Sequence, residues 1–178
     1  MSHFHPLHKF RYCPVCGSSH FEEINFKAKH CVDCGFTYYF NSSAATVALI
    51  LNEKEELLVC RRAKDPAKGM LDMPGGFIDM DESGEEGVAR EVMEETGLQV
   101  LSATYLFSLP NTYLYSDFLV HTLDQFFLCE IKDASQLVSK DDAQDCKFIP
   151  LKDIDVSAFG LDSVRLGIER FLRSKLKK

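Results

Sequence analysis

Residues Gly76–Leu98, GFIDMDESGEEGVAREVMEETGL, govern how the rest of the chain is read. Ser83 followed three residues later by Glu86 is a capping-box pattern, and Gly97 stands where a left-handed C-terminal cap is needed. The spacing predicts a helix of about three turns between them. At about 100° per residue, Val88, Ala89, Val92, Met93 and Thr96 fall on one side and Glu91, Glu94 and Glu95 on the other. Like charges at i, i+3 and i+4 cost a bare helix roughly 0.2–0.5 kcal/mol per pair, and Arg90 offsets only part of this, best through Glu94. A divalent cation removes the conflict. Hard oxygens on a rigid face, with room left for water and phosphate, suit Mg²⁺ or Mn²⁺. Most acidic helix faces are simply solvated, so the helix alone does not decide for a metal.

The residues before the helix sharpen the reading. Pro74-Gly75-Gly76 ends a short apolar run and lets the backbone turn tightly, so that a carbonyl can approach a cation held by the helix. The spacing of Gly76, Glu82 and the run Arg90-Glu91-Val92-Met93-Glu94-Glu95-Thr96-Gly97-Leu98 resembles the complete Nudix box. Arg61-Arg62-Ala63 and Met73–Ile78 extend the resemblance over about residues 44–100. The resemblance implies a Nudix hydrolase with an α/β/α sandwich and a mixed β-sheet. Its implied reaction is metal-dependent hydrolysis of a phosphoanhydride in a nucleoside diphosphate linked to another moiety, with an NAD(H)- or ADP-ribose-like dinucleotide favoured. It also implies roles: Glu91, Glu94, Glu95 and the Gly75 carbonyl as Mg²⁺ or Mn²⁺ ligands, Arg90 as the group that orients the carboxylates, and Glu82 as a ligand or its support. Glu91 is a candidate general base, and Asp141, Asp142 and Asp145 are later carboxylates available for the same task.

Composition sets the outer bounds. With 178 residues, 46% hydrophobic and 26% charged, the chain suits one domain of ordinary size plus a small module, and neither a fibre nor a disordered tail. A net charge of −7 argues against coating nucleic acid, which needs clustered Lys and Arg. A nucleotide ligand is still allowed, because a bound metal supplies positive charge locally. The longest apolar run, Ala44–Leu51, is too short to span a bilayer, and no signal-peptide h-region opens the sequence. A cytoplasmic protein without membrane partners is the expectation.

Four of the seven cysteines form two CxxC pairs, Cys13/Cys16 and Cys31/Cys34, each followed by Gly and separated by fourteen residues. The pattern resembles a zinc ribbon, in which four thiolates hold Zn²⁺ and the intervening segment makes a hairpin. So short a segment has little core of its own, and a closed Cys₄ site would take the place of one. His20 and His30 are alternative ligands. His3, His5 and His8 resemble neither a tag nor a helical metal site. Lys9, Arg11, Lys27 and Lys29 alternate with Glu22, Glu23 and Asp33, so no basic stripe marks the module as a nucleic-acid binder. A ribbon over residues 1–40 and a Nudix domain over residues 41–178 is the expected division.

Beyond the ribbon, Ala44–Leu51 and Leu57–Arg62 read as a hairpin of buried strands, and Leu71-Asp72-Met73 as a short strand delivering the box. Val100–Leu109, Leu123–Ile131 and Cys146–Ile149 are further strands, in which Cys60's counterparts Cys129 and Cys146, like Cys60 itself, read as buried small hydrophobes. Leu161, Val164, Ile168, Phe171 and Leu172 predict a C-terminal amphipathic helix with a basic end, Arg170 to Lys178. A ribbon before a Nudix box resembles the NADH pyrophosphatases, which carry Ser-Gln-Pro-Trp-Pro-Phe-Pro after the box. Here Ser108-Leu109-Pro110-Asn111-Thr112-Tyr113 stands in its place, and the chain contains no Trp. Tyr113, Tyr115 and Phe118 are candidates to stack a base. A homodimer is implied only at the level of the family. The competing reading is a Nudix-fold sensor that binds a nucleotide without cleaving it and meets nucleic acid through the ribbon.

Overall fold

The computed structural model describes residues 5–138 and 143–176. His3, Asp141, Asp142, Lys177 and Lys178 lie outside the described residues. The chain divides into two compact units, Met1–Ser42 and Ser43–Lys178.

The first unit is a three-stranded antiparallel sheet of β1 (Phe21–Asn25), β2 (Ala28–Cys31) and β3 (Thr37–Tyr39). Its small apolar cluster is Cys13, Phe21 and Cys31, with Phe36 packed against it. Two of these three are cysteines, so little apolar area supports the sheet.

The second unit carries a mixed sheet in the order β4 (Ser43–Ile50), β8 (Phe118–Ile131), β7 (Val100–Tyr115). β4 runs parallel to β8, and β7 antiparallel to it. An antiparallel sheet follows in the order β6 (Leu71–Asp72), β5 (Glu56–Arg62), β9 (Ala143–Pro150). Successive side chains of a strand face opposite ways, and this sorts the core into two. Val47, Leu49, Leu57, Val59 and Phe126 pack with Val164, Ile168 and Phe171 of α2 (Asp162–Leu176). Ala48, Ile50, Leu58, Phe127 and Cys129 pack with Val88 and Val92 of α1 (Gly84–Thr96). Both sheet faces are covered, which is why β4 reads as an unbroken apolar run. The result is the expected α/β/α sandwich with a mixed sheet.

α1 begins as its sequence requires. Ser83 Oγ accepts from the Glu86 N–H at 3.2 Å, Glu86 accepts from the Ser83 N–H at 2.8 Å, and the Gly97 N–H closes the far end on the Met93 carbonyl. Val88, Val92 and Thr96 are buried, whereas Met93 is 43% exposed, so the inward face is narrower than the periodicity implied.

Two expectations need correction. β7 and β8 run on past Leu109 and start before Leu123, and meet in a tight turn at Ser116-Asp117, both with positive φ. This is the backbone of a two-residue hairpin turn, made without the Asn or Gly that usually announces one. Pro110 does not interrupt the strand because β7 lies at the edge of its sheet, where a missing N–H forfeits no ladder bond. Cys60 and Cys146, read as buried thiols, form a disulfide between the paired strands β5 and β9; of the three strand cysteines, Cys129 is a buried free thiol as expected. Among the described residues no helix is long and apolar enough to cross a membrane.

Candidate active site

α1 and the loop before it are tied together by Arg90. A guanidinium has five N–H donors, and here each has an acceptor. Nε and Nη2 reach the two oxygens of Glu82 at 2.9 and 3.0 Å, and Nη2 also reaches the Phe77 carbonyl at 2.9 Å. Nη1 reaches Glu91 Oε1 at 2.9 Å and Glu94 Oε2 at 3.2 Å. Glu82 is further fixed by the Asp79 N–H, 2.9 Å from Oε2.

The loop itself lies along β4. The Thr46 N–H donates to the Gly76 carbonyl at 2.8 Å, the Ala48 N–H to the Pro74 carbonyl at 2.8 Å, and the Ile78 N–H to the Ala44 carbonyl at 3.1 Å. From this seat the Gly75 N–H donates to Glu95 Oε2 at 3.1 Å. The loop–helix contact at Gly75 is thus made by its N–H. At Gly76 a Cβ would lie 2.6 Å from Glu91 Oε1, so only glycine lets the loop and the carboxylate come this close.

Charge is unevenly balanced across the group. Glu82, Glu91 and Glu94 share one guanidinium, and their side chains are 15%, 16% and 53% exposed. Bonds from Arg90 and the Asp79 N–H hold the Glu82 carboxyl below its ordinary range, while Glu82 in turn pushes the Arg90 guanidinium up. Burial pushes the Glu91 carboxyl up, and Arg90 pulls it only partly back. A cation beside the helix face would relieve this burial cost directly. The three helix carboxylates are not drawn into a tight cage. Among the described residues, the group whose ligand atoms all lie within 4.8 Å of one another is Cys13, Cys16, Cys31 and Cys34.

Gly75, Gly76 and Glu95 also line a cavity of about 250 Å³ that runs between the strands. Its polar wall is Arg62, Asp72, Asn111, Tyr113, Thr122 and Asp124, and Cys60 of the disulfide borders it. Arg62 is ion-paired with Asp72, whose carboxyl is nonetheless pushed up by burial. Asp124 accepts from Thr122 Oγ1 at 2.6 Å and from Ser163 Oγ. Tyr113 lines the cavity, and its hydroxyl is pushed up by burial with Asp124 nearby. Tyr115 is 58% exposed and stands outside the lining. Asp145 lies 3.8 Å from Arg61 Nε at the surface. Asn111, Thr122 and Asp124 escaped sequence reading: they stand among other polar residues of two strands, and the pairing of Asn111 with Thr122 across β7 and β8 brings them to one wall.

In the first unit the four thiols converge. Cys13 and Cys34 Sγ are 3.7 Å apart, and Cys16 and Cys31 Sγ 3.6 Å. A tetrahedral ion with Zn–S bonds of about 2.3 Å sets its sulfurs roughly 3.8 Å apart. The Gly17 N–H bonds the Cys13 carbonyl and the Gly35 N–H the Cys31 carbonyl, each at 2.9 Å, so both CxxCG turns are built alike. Burial raises the Cys13 thiol, but backbone N–H groups of Cys16 and Val15 outweigh it and bring it to about 7. The cluster is compatible with a zinc ribbon. His20 points elsewhere, its Nδ1 3.1 Å from an Asp33 carboxylate oxygen, and His30 Nδ1 bonds Thr37 Oγ1 at 2.8 Å.

Comparison with known proteins agrees with this geometry. An ADP-ribose pyrophosphatase of Methanocaldococcus jannaschii is 31% identical over 134 residues, covering 74% of this chain and 75% of the relative. An NAD-capped RNA hydrolase NudC of Chromobacterium violaceum is 35% identical over 102 residues, 57% of this chain. The match spans only 38% of that relative's length. A crystal structure of a NUDIX hydrolase from Nitrosomonas europaea superposes with a TM-score of 0.74 over 94% of this chain and 93% of its own at 18% identity, which speaks for the fold. The NUDIX domain model matches residues 41–170, taking in the loop, α1 and every strand of the cavity wall, and the chain therefore belongs to the NUDIX family.

Proposed function

We propose that this chain is a pyrophosphohydrolase that cleaves the phosphoanhydride of a nucleoside diphosphate joined to a second moiety, with ADP-ribose- and NAD(H)-like compounds as the substrate class. One observation carries the reading: Arg90 ties Glu91 and Glu94 to the loop, and that loop, at Gly75 and Gly76, borders together with Glu95 a cavity that has a polar wall. The two relatives' names, ADP-ribose pyrophosphatase and NAD-capped RNA hydrolase, support the substrate class.

NUDIX hydrolases generally need a divalent metal, and the donor set here fits one: carboxylates at i, i+3 and i+4 on a rigid helix beside a glycine loop. In this reading Glu91, Glu94, Glu95 and the Gly75 carbonyl hold Mg²⁺ or Mn²⁺, which when bound neutralises phosphate charge and activates water. Arg90 fixes the rotamers of Glu91 and Glu94, and Glu82 in turn holds Arg90. Glu91, pressed against the loop, is the candidate to take the proton from the attacking water. Zinc in the cysteine quartet serves the fold of the first unit.

Product analysis tests the reaction. Purified protein with Mg²⁺ or Mn²⁺ is incubated with ADP-ribose, NADH, NAD, FAD, dinucleoside polyphosphates and nucleoside triphosphates, and the products are separated by chromatography. AMP release from ADP-ribose or NADH in preference to the triphosphates is expected. Binding without cleavage of any compound would overturn the hydrolase in favour of a nucleotide sensor.

A further inference from the structure

The inward face of β7 and β8 changes character at the cavity. Phe107 and Leu109 on β7 and Phe126 and Leu128 on β8 pack in the core under α2. Two and four residues further along the same face of β7 stand Asn111 and Tyr113, and on β8 stand Asp124 and Thr122. A buried polar side chain costs stability unless it finds a partner. Asp124 has Thr122 and Ser163, and Asp72 has Arg62. Asn111 differs from them. It is 6% exposed and lines the cavity, and among the described residues its side-chain amide makes no hydrogen bond. Among the described residues no fully sealed side-chain nitrogen or oxygen lacks a partner, so the amide opens to the cavity.

We infer that Asn111 is a specificity-determining residue whose amide reads the donor–acceptor edge of the planar ring at one end of the substrate. A carboxamide offers N–H donors and a carbonyl acceptor side by side. It is complementary to a group that presents one of each, such as the 6-amino edge of adenine or the carboxamide of nicotinamide. The cavity is small for its task. At about 250 Å³ it falls below the roughly 300–1,000 Å³ of pockets that engulf whole drug-sized ligands, so it takes one ring-bearing end of a dinucleotide. Val47, Met73, Leu161 and Val164 supply apolar surface for the ring, and Gly75 and Glu95 border the same space, so the diphosphate would lie toward α1.

The inference rests on the hydrolase reading for its substrate, and its test separates the two. Wild type and Asn111→Ala are compared on matched pairs that differ at one edge: NADH against its hypoxanthine analogue, and NAD against its nicotinic acid analogue. Wild type should favour the amino or the amide member of one pair about tenfold to a hundredfold in kcat/KM. Asn111→Ala should bring that ratio to near one while retaining turnover, and the pair affected shows which ring occupies the cavity. The same discrimination is read without turnover or metal by calorimetric binding of AMP against IMP, and of nicotinamide mononucleotide against its nicotinic acid counterpart. Discrimination in binding with no hydrolysis would retire the hydrolase and leave the role of Asn111 standing. No preference in wild type, or a variant that loses thermal stability or activity on all compounds alike with the ratio unchanged, overturns it.

Discussion

Gly76 and Glu91 meet so closely that the smallest side chain has no room, with Glu91 Oε1 2.6 Å from where a Cβ would stand. Gly76→Ala should displace Glu91 and lower kcat by about 100-fold, the scale expected when a catalytic group moves by an ångström. Steady-state assay beside an unchanged far-UV circular dichroism spectrum would show it. The capping box gives a prediction of a different kind. Bonds from the Ser83 backbone and side chain hold the Glu86 carboxyl below its ordinary value of 4.5. A depressed folded-state pKa stabilises above the unfolded value and is lost as pH falls through the folded one. Urea midpoints should therefore drop on acidification below about pH 4.5, and Glu86→Ala should flatten that part of the profile. Ser83→Ala should cost about 1 kcal/mol at neutral pH. Residues of the box were legible because they sit in one continuous helix, where spacing alone fixes who faces whom. Asn111 and Thr122 were not, because they are paired only across β7 and β8 and nothing local announces it.

At the level of elements, α2 approaches the mixed sheet through Gly167. A Cβ there would come within 2.2 Å of the Phe126 ring, whose atoms belong to the core between helix and sheet. Gly167→Ala gains helix propensity but overpacks this contact, and a net loss of about 1–3 kcal/mol is expected, seen as a lowered thermal midpoint. A midpoint that rises would mean the helix lies further from the sheet. Apolar periodicity foretold α2, and the unbroken run Ala44–Leu51 foretold β4. Alternation of β-formers marked β7 only to Leu109, whereas the strand runs on through Pro110 to Tyr115, as an edge strand can. The Cys60–Cys146 disulfide joins residues separated by 86 in sequence. Only the pairing of β5 with β9 brings them together, so neither strand reveals it alone.

The whole molecule combines two units with different sources of stability. In the second, core clusters on both faces of the sheet suffice. In the first, three residues form the buried cluster and two of them are cysteines, and the proposed zinc would supply what so small a core lacks. One zinc per chain should be released on titrating the thiols with a mercurial, detected by a colorimetric chelator. Cys16→Ser with Cys34→Ser should abolish it and unfold the first unit as seen by proteolysis. The central claim concerns the second unit: that Glu91, Glu94 and Glu95 hold the divalent metal on which hydrolysis depends. Its most direct test is kcat on ADP-ribose at saturating Mg²⁺ for Glu94→Gln with Glu95→Gln, alongside Mn²⁺ binding followed by electron paramagnetic resonance. The shape of the pair is kept while both charges are removed. We predict loss of turnover by at least about 1,000-fold, some 4 kcal/mol of transition-state stabilisation, together with loss of high-affinity Mn²⁺ binding in a protein that stays folded. Turnover and Mn²⁺ binding at wild-type levels would contradict the assignment.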